Sequence, residues 1–347
     1  MKLVDVKKNL EKNLTENTLQ SGDALIDVNA PRLKTGVLVF DVIMGGGLPL
    51  GKFNVFWGDK SSGKSTMALR VAGSFQKAFP NQSVVWCDME NAYEDKWAKN
   101  YIGDPRRFHL IRPDFGEQAV DLFCEMMEAE DAGLGIFDSL GSLYSQKESD
   151  GDAADKYIAH QAILVNRMTM KLAPILTRSA KQGKAKGMIF INQARASFGG
   201  ASFGPTTRPT GGKMLGHIVS TTTHFYLKEV KKVGGLPTFS THTFTLDKNR
   251  MGLSRRSGDF SFYMRPFEGR SAGELEESKT ILSLGRDSGV IAKVGTAWTV
   301  LGKKYDKLTD VQELINSDEK VRNGLKEAIL KHCLTNQIVV GEDAKDE

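Results

Sequence analysis

The chain has 347 residues, enough for one large α/β domain with small additions or for two domains of ordinary size. Its composition, 40% hydrophobic and 26% charged, excludes a disordered or fibrous protein. The net charge of +5 is a weak sign of an anionic partner, because a small excess spread over a large surface produces little directed field. Three widely spaced cysteines indicate neither a disulfide framework nor a zinc site, and no apolar run is long enough to span a bilayer. We therefore expect a cytoplasmic protein with no membrane partner.

The N-terminal residues predict a helix and a strand outside the main core. Apolar residues between Leu3 and Leu14 recur at helical spacing, and residues 24–28 form a short extended run before Pro31. Such a segment could dock on another subunit or pack against its own domain. The residues themselves favour neither arrangement.

From residue 36 onward, apolar strand-like runs alternate with helical patterns, which predicts an α/β fold with a mainly parallel sheet covered on both faces. The predicted strands are residues 53–57, 83–87, 108–111, 133–137 and 187–191. The predicted helices lie near residues 64–79, 116–129 and 155–180. Two later runs, 223–227 and 241–246, have no long helix between them and predict a hairpin at one sheet edge. After about residue 270 the pattern is mainly helical, with predicted helices at 275–288 and 309–334.

A phosphate-binding motif follows the first of these strands. Residues 58–65 read Gly-Asp-Lys-Ser-Ser-Gly-Lys-Ser and match GxxxxGK[ST] between a predicted strand and a predicted helix. Glycines let backbone N–H groups and the positive helix end face phosphates, Lys64 reaches the β- and γ-phosphates, and Ser65 binds Mg²⁺. We expect ATP to contact Gly58, Asp59, Lys60, Ser61, Ser62, Gly63, Lys64, Ser65 and Thr66.

Carboxylates end two further predicted strands. Asp138 follows an apolar run, and ligands of open α/β sheets collect at that edge, so Asp138 is a second candidate for Mg²⁺. Another strand ends in Cys-Asp-Met-Glu at 87–90, and hydrolysis needs one carboxylate that orients the attacking water. Because side chains alternate along a strand, Asp88 and Glu90 should share a face, and spacing does not choose between them. Glu94 and Trp97 are candidates to contact the base, Trp97 by stacking.

Several segments outside this motif together resemble the RecA family of DNA recombinases. The resemblance extends over about residues 36–300 and is carried by short segments in the family's order. They are Thr35-Gly-Val-Leu, Gly46-Gly-Leu-Pro-Leu-Gly51, Pro113-Asp-Phe-Gly-Glu-Gln-Ala119, Phe190-Ile-Asn-Gln-Ala-Arg195, Thr210-Gly-Gly212 and Lys248-Asn-Arg250.

The resemblance implies roles that spacing alone leaves open. Glu90 matches the catalytic glutamate, Trp97 the aromatic residue that stacks on adenine, and Gln193 the residue that senses the γ-phosphate. Lys248 and Arg250 match cations that reach a neighbouring subunit's ATP. Residues 148–157 and about 196–212 match the two DNA-binding loops. The resemblance implies DNA contacts from the second loop and its flanks and from one arginine on the helix after the first loop. These residues are Arg167, Arg195, Phe198, Phe203, Arg208, Gly211, Gly212 and Lys213.

Function and domain organisation follow as expectations. The resemblance implies an ATP- and Mg²⁺-dependent recombinase that forms helical filaments on single-stranded DNA and exchanges strands with homologous duplex DNA. A hexameric RecA-fold helicase or motor and an ATP-gated, non-catalytic DNA-binding mediator are the alternatives, since fold does not fix function. The expected divisions are an N-terminal oligomerisation arm (1–33), an ATPase core (34–269), a small C-terminal domain (270–340) and an acidic tail (341–347).

Overall fold

The computed structural model describes residues 31–144, 154–196, 207–209, 212–336 and 342–343. Within these ranges the backbone alone is described for residues 154–159, 195–196, 207–209, 212–214 and 342–343. The predicted N-terminal helix and the extended run at 24–28 lie outside the described residues.

The strands and helices alternate along most of the described chain. The strands are β1 (Arg32–Leu33), β2 (Leu48–Pro49), β3 (Phe53–Gly58), β4 (Ser83–Asp88), β5 (Phe108–Ile111), β6 (Ala132–Asp138), β7 (Gly187–Ala196), β8 (Thr207–Pro209), β9 (Thr221–Val233), β10 (Leu236–Asn249), β11 (Arg256–Tyr263), β12 (Leu275–Glu276), β13 (Ile291–Val294), β14 (Ala297–Val300), β15 (Lys303–Tyr305) and β16 (Glu342–Asp343). The helices are α1 (Leu38–Ile43), α2 (Lys64–Ala78), α3 (Asp95–Ala98), α4 (Gly116–Glu128), α5 (Ala154–Lys181), α6 (Gly212–Ile218), α7 (Ser278–Asp287), α8 (Leu308–Ser317) and α9 (Glu319–Thr335).

One large sheet organises the molecule, with its strands in the order β12-β11-β10-β9-β3-β7-β6-β4-β5. The six neighbouring strands β9, β3, β7, β6, β4 and β5 pair parallel to one another. The strands β9, β10, β11 and β12 pair antiparallel. The prediction of an α/β fold with a mainly parallel sheet is therefore confirmed. The predicted pairing of these two strands as a hairpin is also confirmed, since β9 and β10 are neighbours joined through Gly234 and Gly235, both at positive φ. Its predicted place at the sheet edge is wrong, because β11 and β12 extend the sheet beyond β10.

Apolar side chains cover both faces of this sheet. On one face, Phe40 of α1 packs against the buried rings of Phe56, Phe225 and Phe244 from the sheet, with the Phe40 and Phe244 ring centroids 5.0 Å apart. On the other, α4 and α5 pack over a second buried cluster that includes Phe123. Complete burial of each such ring contributes about 2–3 kcal/mol.

Asn54 fixes the central strand β3 between its two neighbours. Its fully buried side-chain amide donates to the Met188 carbonyl of β7 at 3.1 Å, and its Oδ1 accepts from Thr221 Oγ1 of β9 at 2.7 Å. A buried amide is tolerated only when its groups are paired, so these bonds specify the register of β3. The strand that leads into the phosphate-binding motif is thereby held in place.

The prediction of a mainly helical C-terminal region is incomplete. Residues 275–276 form β12 rather than the start of a helix, and α7 begins at Ser278. A three-stranded antiparallel sheet of β13, β14 and β15 stands between α7 and α8. Helices α7 to α9 bury side chains such as Ile281, Val311 and Ile329 in the same apolar cluster as the large sheet. The proposed domain boundary at residue 270 stays a prediction.

Helix α5 is the longest helix in the described ranges, spanning 28 residues. It ends at Lys181, just before Gly183, whose φ of +73° is a conformation that terminates helices readily. Among the helices of the described chain, none combines the length and hydropathy that a membrane crossing requires.

Candidate active site

The loop at residues 58–63 is shaped by two glycines that admit no side chain. Gly58 has φ +147°, and a Cβ there would lie 2.1 Å from the Phe225 carbonyl oxygen of β9. Gly63 has φ +94°, and a Cβ there would lie 2.8 Å from Nδ1 of His242. His242 also donates from Nδ1 to the Ser62 carbonyl at 2.8 Å, and burial lowers the pKa of its imidazole. The loop thus packs between β9 on one side and His242 of β10 on the other. Sequence spacing could not reveal the contact with His242.

Lys64 opens α2 and folds back over the loop. Its Nζ donates to the carbonyl oxygens of Gly58 at 2.9 Å and Asp59 at 2.6 Å, and to Ser62 Oγ at 3.2 Å. Burial lowers the pKa of the Lys64 ammonium, while the nearby charge of Asp138 opposes that shift. The cation therefore sits inside the loop that the sequence assigns to phosphates.

Ser65 and Asp138 come together as the sequence predicts. Ser65 Oγ donates to Asp138 Oδ2 at 2.8 Å, and Asp138 is almost completely buried. Burial raises the pKa of Asp138 to about 7; the bond from Ser65 opposes this rise, and the charge of Glu90 adds to it. A hydroxyl and a carboxylate oxygen are ligands that Mg²⁺ accepts, and a bound cation would offset the cost of burying the charged carboxylate. The residues present therefore fit a magnesium ion.

The structure distinguishes Asp88 from Glu90. Strand β4 ends at Asp88, so strict alternation does not extend to Glu90. The Asp88 carboxylate is buried and accepts N–H groups from Glu90 at 3.2 Å, Ala92 at 3.1 Å and Tyr93 at 3.0 Å. Its acceptor capacity is used to shape the turn after β4.

Glu90 instead faces β7 and the segment that follows β6. Its Oε1 accepts from Gln193 Nε2 at 2.6 Å, from Ser142 Oγ at 3.2 Å and from Ser139 Oγ. Glu90 and Gln193 are both exposed, so the pair is open to a small polar molecule. Sequence reasoning singled out Glu90 and Gln193 but missed the two serines, of which Ser139 follows Asp138 directly and Ser142 lies three residues later.

A cavity of about 610 Å³ opens beside the loop and α2. Trp97 forms part of its wall, and the indole Nε1 donates to Thr66 Oγ1 at 3.1 Å. Phe262 of β11 lies near Trp97, with ring centroids 6.0 Å apart, and was not anticipated from the sequence. Glu94 is exposed and is not one of the lining residues, so its contact with a nucleotide stays a prediction.

The two candidate cations, Lys248 near the end of β10 and Arg250 just after it, point toward α6. Lys248 Nζ donates to the Gly216 carbonyl at 2.6 Å, and the Arg250 guanidinium donates to the His217 carbonyl. Both acceptors lie near the carboxyl end of α6, where carbonyl groups attract cations. The pair thus contacts the helix that follows the second predicted DNA loop.

The candidate DNA contacts are only partly described. Phe198, Phe203 and Gly211 lie outside the described residues, and Arg195, Arg208, Gly212 and Lys213 are described by backbone alone. The antiparallel pairing of β7 with β8 places Arg195 and Arg208 opposite each other. On α5, Arg167 forms an ion pair with Asp121 of α4 at 2.8 Å, and Lys171 joins it at 2.6 Å. A DNA phosphate would have to compete with Asp121 for Arg167.

The chain is similar to known proteins over most of its length. The family model described as the RecA N-terminal domain matches residues 2–243. Protein RecA of Fusobacterium nucleatum is 30% identical over 316 residues, covering 88% of this chain and 78% of that protein. Protein RecA of a Sulfurovum species is 30% identical over 325 residues, covering 93% and 90%. The mitochondrial DNA repair protein recA homolog 3 of Arabidopsis thaliana is 29% identical over 320 residues, covering 91% and 71%.

The role of Trp97 in the cavity wall can be tested by binding alone. Trp97→Ala should weaken binding of a fluorescent ATP analogue about tenfold, because the variant loses a large stacking surface. Trp298→Ala, which removes an indole from β14 outside the cavity, should leave the dissociation constant unchanged. Equal losses in the two variants would show that the cavity does not hold the base.

Proposed function

The chain belongs to the RecA family, and from that premise we propose that it is a DNA-dependent ATPase that forms helical filaments on single-stranded DNA and exchanges homologous strands. At the family level it is a RecA-like protein of DNA recombination and repair. The observation that supports the finer proposal best is the 2.6 Å hydrogen bond between Glu90 and Gln193. It joins a carboxylate beside the phosphate-binding loop to the strand that leads into the second predicted DNA loop.

The chain's own residues account for ATP binding. Backbone N–H groups of the loop and of the N-terminus of α2 bind phosphate oxygens, because the first N–H groups of a helix have no carbonyl partner within that helix. Lys64 leaves its carbonyl partners for the β- and γ-phosphates. Ser65 and Asp138 would hold Mg²⁺, which when bound supplies positive charge next to the transferred phosphoryl group.

Glu90 acts as the general base in this proposal. A carboxylate that can orient and deprotonate water contributes on the order of 10² to 10⁴ to the rate. Ser139, Ser142 and Gln193 all donate to one carboxylate oxygen, Oε1. These three bonds fix the orientation of the carboxylate and therefore the direction of its other oxygen, Oε2. Asp88 is less suited to orient and deprotonate water, because its oxygens already accept hydrogen bonds from three backbone N–H groups.

Gln193 connects the two halves of the activity. Its amide bonds to Glu90 in this structure, and the same N–H group can donate to a γ-phosphate oxygen once ATP is bound. Such an exchange of partners shifts the end of β7, and with it the stem formed by β7 and β8. A ligand that stabilises one of two arrangements in this way biases DNA binding.

Turnover measurements test the proposal and the assignment of Glu90 together. The protein should hydrolyse ATP faster with single-stranded DNA than without it, and Glu90→Gln should reduce DNA-stimulated turnover at least about 100-fold while retaining ATP binding. The control Glu125→Gln changes an exposed glutamate of α4 in the same way and should have no effect. The absence of both DNA stimulation and ATP-dependent DNA binding would refute the function. Unchanged turnover in Glu90→Gln would move the catalytic role to Asp88.

Lys248 and Arg250 should act on a neighbouring subunit's ATP. The double variant Lys248→Ala, Arg250→Ala should be inactive alone, as should Glu90→Gln. An equal mixture should recover about a quarter of wild-type turnover, because one interface in four then joins an intact Glu90 to intact cations of the next subunit in a head-to-tail assembly. Turnover that remains at the level of the separate variants would place the cations in the site of their own subunit.

A further inference from the structure

Gln161 is a buried amide that the nucleotide site described above does not include. It lies on α5 and is 2% exposed. Its Nε2 donates to the carbonyl oxygens of Leu140 at 2.8 Å and Gly141 at 2.9 Å. Both protons of the amide are thereby used, and both are used on one short turn.

That turn is the 3₁₀ segment Leu140–Ser142, and the hydroxyl groups that bind Glu90 lie at its two ends. Ser139 precedes it and Ser142 ends it, and both hydroxyls donate to Glu90 Oε1. A continuous series of hydrogen bonds therefore runs from α5 through Gln161 and the turn to Glu90. Gln161 bonds to two consecutive carbonyl oxygens of the turn, and two hydroxyls beside them bond to one oxygen of Glu90, so a shift of the turn displaces the carboxylate.

Close packing limits where the turn can go. Leu140 and Leu143 are completely buried, which anchors both ends of the turn in the core. A Cβ at Gly141 would lie 3.6 Å from Cβ of Gln193, so the turn also lies against the residue that contacts Glu90 from β7. The turn fills the space between α5 and β7, and Gln161 is the side chain that ties it to α5.

We propose that Gln161 is a positioning residue for Glu90, acting through the turn at residues 140–142. This inference rests on the proposed function, in which Glu90 is the general base. Gln161 does not touch the substrate; it fixes the angle at which Ser139 and Ser142 present their hydroxyls. A displacement of α5 therefore displaces the Glu90 carboxylate through Gln161 and the turn. Since α5 begins within the range assigned by resemblance to the first DNA loop, the link is a route from that helix to turnover.

Gln161→Met is the most direct test, because methionine keeps the length and helix propensity of glutamine but has no N–H group. With saturating single-stranded DNA, kcat should fall about tenfold while KM for ATP stays within about twofold, as expected when only transition-state stabilisation is lost. Thr169→Val is the matched control: Thr169 is also buried on α5, and its hydroxyl donates to the Asn166 carbonyl of the same helix. An unchanged kcat in Gln161→Met, or an equal fall in Thr169→Val, would overturn the proposal.

A double-mutant cycle tests whether Gln161 acts through the turn. Ser142→Ala removes one hydroxyl that binds Glu90. If Ser142 and Gln161 act on the same arrangement, the fold-reduction in kcat of the double variant should be smaller than the product of the two single fold-reductions. Fully multiplicative losses in the combined variant would show that Gln161 affects turnover by another route.

Amide hydrogen exchange separates failure of this inference from failure of the proposed function. Without nucleotide or DNA, Gln161→Met should speed exchange in a peptide covering residues 139–144, where the Leu143 N–H bonds to the Leu140 carbonyl, and leave other segments unchanged. If the wild-type protein shows no DNA-stimulated turnover, the proposed function fails, and this measurement still decides on Gln161. Unchanged exchange in the variant would overturn the link between Gln161 and the turn.

Discussion

Parallel pairing of four adjacent strands brings the candidate catalytic groups to one edge of the sheet. In the register of β3, β7, β6 and β4, Gly58 pairs with Gln193 and Asp138 pairs with both Asp88 and Ile191. A shift of one residue in any pair would turn an inward side chain to the opposite face and break the site. The buried amide of Asn54, bonded to strands on both sides of β3, opposes such a shift.

This edge concentrates like charges, and the fold separates them by function. Asp138 is buried and accepts a hydrogen bond from Ser65, and burial raises its pKa, so a bound cation would stabilise its charged form. Asp88 is buried and accepts three backbone N–H groups, so it stabilises a turn. Glu90 alone among the three is exposed and held by neutral side chains, which leaves it able to orient water. Three carboxylates thus serve three purposes according to their burial and hydrogen-bond partners.

Local pattern predicted most of the sheet and the core of the site. The central strands are apolar and the phosphate-binding motif is contiguous, so both can be read from neighbouring residues. The strands β13 to β15 were missed because they have only three or four residues each and carry exposed lysines such as Lys293 and Lys303. Gln161 and His242 were missed because their partners lie 20 or more residues away in the sequence, and no spacing rule connects them. The choice of Glu90 over Asp88 came from family resemblance, and contacts made after folding give the physical reason for it.

In the proposed function, the link between nucleotide and DNA depends on Gln193, because this residue contacts Glu90 on one side and begins the stem of the second predicted DNA loop on the other. The most direct measurement is the affinity for single-stranded DNA with a non-hydrolysable ATP analogue and without nucleotide, for the wild type, Gln193→Ala and the exposed control Gln182→Ala. The wild type and the control should bind DNA at least about tenfold more tightly with the analogue, a coupling of about 1.4 kcal/mol, and Gln193→Ala should bind equally under both conditions. A Gln193→Ala variant that binds the analogue and keeps the full wild-type ratio would contradict a switch that runs through this side chain.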